Sequence, residues 1–248
     1  MGKRERLDSL LMQRGLVSAR EEGRRRIMAG EVLVKDQSVT KAGTLVDKNA
    51  PIRLQGKATP YVSRGGSKLE KALKEFEVKA EGVVALDVGA STGGFTDCLL
   101  TRGARRVYAV DVGYGQLDWR LRNDSRVVVM EKQNIRYLQP EELPEQPELA
   151  VVDVSFISLR LVLPKVRDLL AERGKIVALI KPQFEVGKGK VGKGGVVRSP
   201  EEHDRVLHEI KEAVVAMDLE VSGLTESPLL GPKGNKEFFI HLRRRPRA

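Results

Sequence analysis

The sequence predicts an α/β protein in two parts. A small α+β module comes first, followed by a larger domain on a mostly parallel seven-stranded sheet that closes with an antiparallel hairpin. Three observations predict this. Five continuous apolar runs between residues 83 and 181 alternate with helical or turn-rich segments, the pattern of parallel strands buried on both faces. A glycine-rich turn follows the first run and leads into a helix. The basic charge is concentrated at the front: residues 1–60 hold 13 Lys/Arg against 7 Asp/Glu, a net of +6 within the formal +10 of the 248-residue chain. That asymmetry points to a nucleic-acid-binding module joined to something else.

Composition excludes several classes. The single Cys98 rules out an internal disulfide and fits a reducing cytoplasm. One cysteine and three histidines are too few for a convincing metal site, so none is expected. The first residues are basic without an unbroken apolar core, unlike a secretory signal, and no stretch has the apolar length of a membrane span.

In the front module, Leu7, Leu10, Leu11 and Arg14 recur at helical spacing up to Gly15. Ser18 and Glu21 form a capping box for a second helix that carries Arg24, Arg25, Arg26, Ile27 and Met28 and stops at Gly30. Glu31–Val34 reads as a strand and Lys35–Gln37 as a turn; Thr40–Gly43 and Ala50–Leu54 read as further extended pieces. Two helices and a small sheet, with basic residues on one helix, form a compact RNA-binding layout. Arg4, Arg6, Arg14, Arg20, Arg24, Arg25 and Arg26 are its candidate RNA contacts.

Residues 57–62 lack periodicity and read as a linker between a module at 1–56 and a domain at 63–248. Ser63-Arg64-Gly65-Gly66-Ser67-Lys68 leads into a helix with Leu69, Ala72, Leu73 and Phe76 on one face. Strands are expected at 83–88, 106–111, 126–130, 149–153 and 175–181, with a helix at 96–101 after the first. Ser199, Pro200 and Glu202 supply the N-cap, first-turn proline and N3 acid of a helix reaching about Met217. The turn-rich segment 227–235 joins strands near 219–224 and 236–242, which should pair antiparallel. Arg64, with Lys188 and Lys190 in the glycine-lysine run 187–195, offers candidate phosphate contacts.

The turn after the first strand carries Asp87, Gly89, Ala90, Ser91, Thr92, Gly93, Gly94 and Phe95. Its glycines let backbone approach a ligand, and the following helix presents free N–H groups. The spacing is not G-x-G-x-x-G, which lowers a dinucleotide reading, and a P-loop Lys-Ser/Thr pair is missing. Asp111 ends the second strand, where a carboxylate can take both ribose hydroxyls of an adenosine. Asn134 and Ile135 follow the third strand, beside a possible adenine edge. Phe156 reads equally as core or as a contact to a cofactor or nucleoside. Lys68, Asp153, Lys181 and Glu237 form a sharper set: Asp153 and Lys181 end neighbouring strands, where ligands of open α/β sheets bind. Two acids and two amines there influence one another's protonation.

R-L-D-x-L-L followed by G-L-V-S-A-R-E-E-G-R-R-R-I-M-A-G-E-V-L-V resembles the RNA-binding domain first seen in the fourth small-subunit ribosomal protein, the S-four-type domain. S-R-G-G-x-K-L, D-V-G-A-S-T-G-G-F-T-D, D-V-S-F-I-S-L and I-K-P-Q-F-E resemble ribose 2′-O-methyltransferases of the FtsJ type, which use a Lys-Asp-Lys-Glu tetrad, and among them the TlyA family. The resemblance runs from about residue 3 to 243, with no departure at the four tetrad positions. It implies a Rossmann-like class I methyltransferase domain behind the S-four-type domain, S-adenosylmethionine as cofactor, and cytidine ribose in ribosomal RNA as target. Ribosomal subunits are the implied partners. Lys181 is the candidate base: desolvation and Lys68 favour its neutral amine, and the two carboxylates oppose it. Some members modify RNA of both subunits and others only the large one; the chain stops soon after Leu242, which favours large-subunit RNA.

Three other readings remain open at this point: a non-catalytic RNA-binding or ribosome-assembly factor, a membrane-damaging protein of the kind the family label haemolysin implies, and a pseudouridine synthase sharing the S-four-type domain. Intact motifs at every expected strand end speak against the first. The second lacks a signal, a span or an amphipathic Lys-rich helix with an aromatic face. The third does not open its catalytic domain with a strand, glycine turn and helix.

Overall fold

Short apolar repeats in the first 54 residues produce short elements around a small core, and longer runs after residue 83 produce a large sheet. The computed structural model describes residues 4–17, 19–28, 30–54, 60–187, 191–192 and 194–245, with the Arg25 side chain outside that set. The chain divides into two units, Met1–Arg64 and Gly65–Ala248.

In the first unit, β1 (Arg4–Arg6) runs directly into α1 (Leu7–Gln13), and α2 (Arg20–Met28) follows. Next come β2 (Val32–Val34), β3 (Gln37–Ser38), β4 (Leu45–Asp47) and β5 (Ile52–Leu54). β1 pairs with β4, and β3-β2-β5 form an antiparallel sheet. Lys35 and Asp36 link β2 to β3 with φ of 51° and 62°, the left-handed pair that a tight hairpin turn requires. Leu7, Leu10, Leu11, Ile27, Val32 and Val46 make the core. Asp8 is fully buried at the start of α1, and its carboxylate accepts hydrogen bonds from Arg6 (Nε at 3.0 Å) and Arg20 (Nε at 3.2 Å). The Arg6 hydrogen bond, assisted by Arg20, holds that carboxyl down at about 2.

One expectation changes here. Thr40–Gly43 is coil and turn; the extended pairing falls on β4, with β1 as its partner. Strands of three residues are too short for alternation to mark them. Tyr61 and Val62, read as linker, are buried. The Ser18 cap lies outside the described residues.

α3 (Arg64–Glu75) starts at the last residue of the first unit and lies otherwise in the second, which continues with β6 (Val84–Val88), α4 (Gly94–Thr101), β7 (Arg106–Asp111), α5 (Trp119–Arg122) and β8 (Val127–Glu131). The second unit goes on with β9 (Leu149–Val152), α6 (Leu163–Leu169), β10 (Lys175–Ile180), α7 (Pro182–Glu185), α8 (Pro200–Val215), β11 (Leu219–Glu226) and β12 (Phe238–Arg244). The strand order is β11-β12-β10-β9-β6-β7-β8. Five strands are parallel, and β12 inserts antiparallel between β10 and β11. This is the predicted sheet. Every residue of β6 and β9 is buried, which explains why Asp87 is the one polar residue in either strand. Ser199 caps α8 by accepting from the Glu202 N–H at 3.3 Å, ahead of Pro200.

The chain travels outward from β6 through β7 to β8, and from β9 through β10 to the hairpin on the other side. Strand order therefore reverses between β6 and β9, where a ligand crevice opens beyond the carboxyl ends. One boundary differs from expectation: α3 begins at Arg64, so Lys68 lies within the helix and not ahead of it. Among the described residues no helix is long and apolar enough to cross a membrane.

Candidate active site

Asp153 and Lys181 each stand one residue past their strand, β9 and β10, which are parallel neighbours. Their backbone placement brings the side chains together: Lys181 Nζ is 2.6 Å from Asp153 Oδ1. That contact is a close ion pair, and the aligned hydrogen bond of the amine goes to Ser155 Oγ at 2.9 Å. Across the other edge of β10, Ile180 is in register with Phe238 of β12, so Lys181 and Glu237 come next in line at the same sheet end. Glu237 is buried, and Lys68 from α3 donates to its Oε2 at 2.6 Å. The lysine side chains are only 12% and 11% exposed, for Lys68 and Lys181 respectively. Low exposure matters because water screens such pairs little there.

The turn after β6 forms the second half of the site. Gly89 has φ of +85°, and a Cβ there would lie 2.5 Å from the Asp153 carbonyl oxygen. The glycine therefore permits the two loops at the switch point to touch. Gly89→Ala is expected to destabilise the protein by about 1–3 kcal/mol through strain and displacement of Asp153. Thermal melting reads this, and an unchanged melting temperature would count against the close approach. Ser91 (φ +48°) donates its N–H to Asp111 Oδ2 at 2.8 Å, and Gly113 donates its N–H to Oδ1 at 2.7 Å. The carboxylate at the end of β7 is thus fixed in direction by two backbone donors. Below it, Asp87 is wholly buried at β6: Thr96 Oγ1 donates to its Oδ2 at 2.6 Å, while its Oδ1 has no partner. Burial pushes this carboxyl up to about 7, with the charges of Asp153 and Asp111 adding to the rise.

The other candidates fall in different places. Gly93, at φ +93°, is the N-cap of α4 and Gly94 its first residue. Thr92 is half-buried, while Ala90 and Phe95 are buried, with the Phe95 ring 6.2 Å from that of Phe239. Asn134 caps a short helical turn by accepting from the Arg136 N–H at 3.1 Å. The Ile135 side chain belongs to the core. Phe156 is not core: its ring is 90% exposed, its φ is +64°, and it rests on Phe184 at 5.0 Å. Arg64 is half-buried at the start of α3, and Lys188 and Lys190 lie outside the described residues.

In the first unit, most candidate arginines are already engaged. Arg6 and Arg20 share Asp8, Arg24 meets Glu21 at 3.1 Å, and Arg26 meets Glu31 at 3.1 Å. Arg14 holds the carbonyls of Ala50 and Lys48. Arg4 is exposed.

Two residues escaped the sequence reading. Ser155 reaches Lys181, and its place in D-V-S-F, two residues after Asp153, was the available signal. Glu185 is buried at the end of α7 and accepts from Ser158 Oγ at 2.6 Å and from the Leu159 N–H at 2.8 Å. Burial raises its carboxyl pKa, against those two donors.

Comparison with known proteins identifies the family of the chain. The FtsJ-like methyltransferase family matches residues 61–244, and the S4 domain family matches residues 5–52. YqxC of Bacillus subtilis, whose name gives an rRNA methyltransferase assignment as provisional, is 51% identical over 97% of this chain and 86% of its own length. The 16S/23S rRNA (cytidine-2′-O)-methyltransferase TlyA of Mycobacterium tuberculosis is 45% identical over 98% of this chain and 91% of its own. A solved Streptococcus thermophilus structure, described provisionally as a hemolysin, superposes with a TM-score of 0.78 at 44% identity, covering 99% of this chain and 90% of that one. With both family matches in place, the chain belongs to the FtsJ-like methyltransferase family and carries an S4 domain ahead of its methyltransferase domain.

Proposed function

We propose that this protein transfers a methyl group from S-adenosylmethionine to the ribose 2′-hydroxyl of a cytidine in ribosomal RNA, with Lys181 as the base. The observation that carries the reading is the pairing of Lys181 with Asp153 and of Lys68 with Glu237 at one end of the sheet. The cytidine ribose and the ribosomal substrate come from what the relatives are named for, and the S4 domain supports an RNA partner. A ribosomal substrate supports a cytoplasmic location for this reaction.

The residues fit the cofactor. Asp111, aimed by two backbone N–H groups, suits a vicinal ribose diol. The Gly89 turn leaves room for close approach, and the unpartnered Oδ1 of buried Asp87 is an acceptor suited to an ammonium group. S-adenosylmethionine, when bound, supplies an electrophilic methyl group on its sulfonium. The chain's own task is to orient the ribose hydroxyl and take its proton. Lys181 Nζ, in its neutral, unprotonated form, receives that proton, and Asp153 stabilises the resulting ammonium as an ion pair. Glu237 holds Lys68 in a buried ion pair, which fixes the second amine beside the reacting hydroxyl. Phe156, exposed at the edge of the crevice, offers a face for stacking on the target nucleoside.

The test is transfer of labelled methyl groups to free ribosomal RNA, separated subunits and intact ribosomes. Label on a cytidine 2′-oxygen is expected. Label on a base would overturn the ribose assignment. Absence of cofactor binding would return the assembly-factor reading.

A further inference from the structure

We propose that Glu185 is a positioning residue: its carboxylate locks the 153–159 segment onto α7, so that Asp153 and Ser155 meet Lys181, and Phe156 meets Phe184, in one arrangement. The inference rests on the proposed methyl transfer for its kinetic readout and on geometry for the rest. Phe156 adopts φ of +64°, a left-handed conformation that a bulky aromatic residue avoids. Such strain persists only where the flanks over-determine it. On one flank the Asp153 N–H donates to the Val88 carbonyl at 2.9 Å. On the other, Ser158 and Leu159 both donate to Glu185.

Glu185 is well placed to transmit that hold. Lys181 is the N-cap of α7, Phe184 lies within the helix, and Glu185 ends it. This single turn of helix therefore meets the 153–159 segment three times: Lys181 at Asp153 and Ser155, Phe184 at Phe156, and Glu185 at Ser158 and Leu159. Among the described residues no Lys or Arg forms an ion pair with Glu185, so its partners are an O–H and an N–H whose directions are fixed. Among the described residues, the hydrogen bonds of the Glu185 carboxylate go to Ser158 and Leu159, outside Lys68, Asp153, Lys181 and Glu237.

The experiment compares Glu185→Ala, Glu185→Gln and Ser158→Ala in the full chain. A small misplacement of catalytic groups costs up to about 10²-fold in rate. Glu185→Ala is expected to lower kcat roughly 10- to 100-fold while leaving cofactor affinity within about threefold. Glu185→Gln should recover most of the rate, because its amide oxygen accepts from Leu159 and its NH₂ faces the Ser158 hydroxyl. Ser158→Ala removes one of the two bonds and should fall between them, a readout that survives if Glu185→Ala does not fold. Fluorine-labelled phenylalanine gives a signal independent of activity: the Phe156 resonance should shift or broaden in Glu185→Ala, or in Ser158→Ala if the former does not fold, and stay in place in Glu185→Gln. A parental kcat in Glu185→Ala overturns the proposal. So does an unchanged Phe156 resonance in the alanine variant, whether or not any RNA accepts methyl groups. Equal damage in Ala and Gln variants, with cofactor affinity lost alongside, would reduce Glu185 to a structural residue.

Discussion

Lys181→Ala is expected to bind cofactor like the parent protein and to transfer methyl groups about 10²- to 10⁴-fold more slowly, the usual contribution of a positioned general base. A ribose hydroxyl is a weak nucleophile at neutral pH, and Lys181 is the tetrad amine that approaches both Asp153 and Ser155. Removing it leaves Asp153 without its ion-pair partner, yet Asp153 is 25% exposed, so water can take up part of that charge and the fold should survive. Lys181→Arg separates charge from basicity. Arginine keeps a cation beside Asp153 but does not give up its proton, so it should be nearly as slow as alanine. Single-turnover methyl transfer with saturating cofactor is the measurement. An alanine variant at near-parental rate would remove Lys181 as the base, and an active arginine variant would make its role purely electrostatic.

Asp87→Asn is expected to stabilise the cofactor-free protein at pH 8 by up to about 4 kcal/mol and to weaken cofactor binding by at least roughly tenfold. The folded-state value near 7 lies about three units above the ordinary carboxylate value of 3.8. A carboxyl raised in the fold gives its full stabilisation below the unfolded value. That stabilisation is lost as pH rises from about 4 through 7, because the unfolded chain releases its proton first. Stability of the parent should therefore fall over this window, while the asparagine variant should show no such fall from this site. Below pH 4 the two should converge. Thermal melts at pH 4, 6 and 8 test the first half. Calorimetric titration with S-adenosylmethionine tests the second: parental affinity should strengthen as Asp87 ionises and the asparagine variant should stay flat. Parallel stability curves would show that Asp87 titrates in the fold as it does in the unfolded chain, contrary to the effect of its burial.

Much of this site was legible because its residues sit at fixed points of a regular pattern. Asp87 lies in an apolar run and Asp111 ends one; Asp153 and Lys181 directly follow two others, and parallel strands place their carboxyl ends together. Lys68 lies inside its helix because packing of Leu69, Ala72 and Leu73 carries the helix back through Gly65 and Gly66, residues of low helix propensity that hide its start in the sequence. β1 and β4 were illegible because their pairing is tertiary and their residues are largely polar. Glu185 was hidden for a different reason. A glutamate two residues after a glutamine reads as surface, and only the folded chain reveals the Ser158 and Leu159 donors that make its burial tolerable.

The shared Asp8 of the first unit bears on how binding responds to salt. Arg6 and Arg20 converge on one buried carboxylate, so the three groups carry a single net positive charge between them. Arg24 and Arg26 are likewise paired with acids. Affinity for RNA falls with ionic strength in proportion to the counterions released, one for each phosphate neutralised. Arginines already balanced by carboxylates release fewer. The S4 domain should therefore hold RNA with a shallower dependence on salt than its arginine count implies, and draw more of its grip from shape and directed hydrogen bonds than from charge alone.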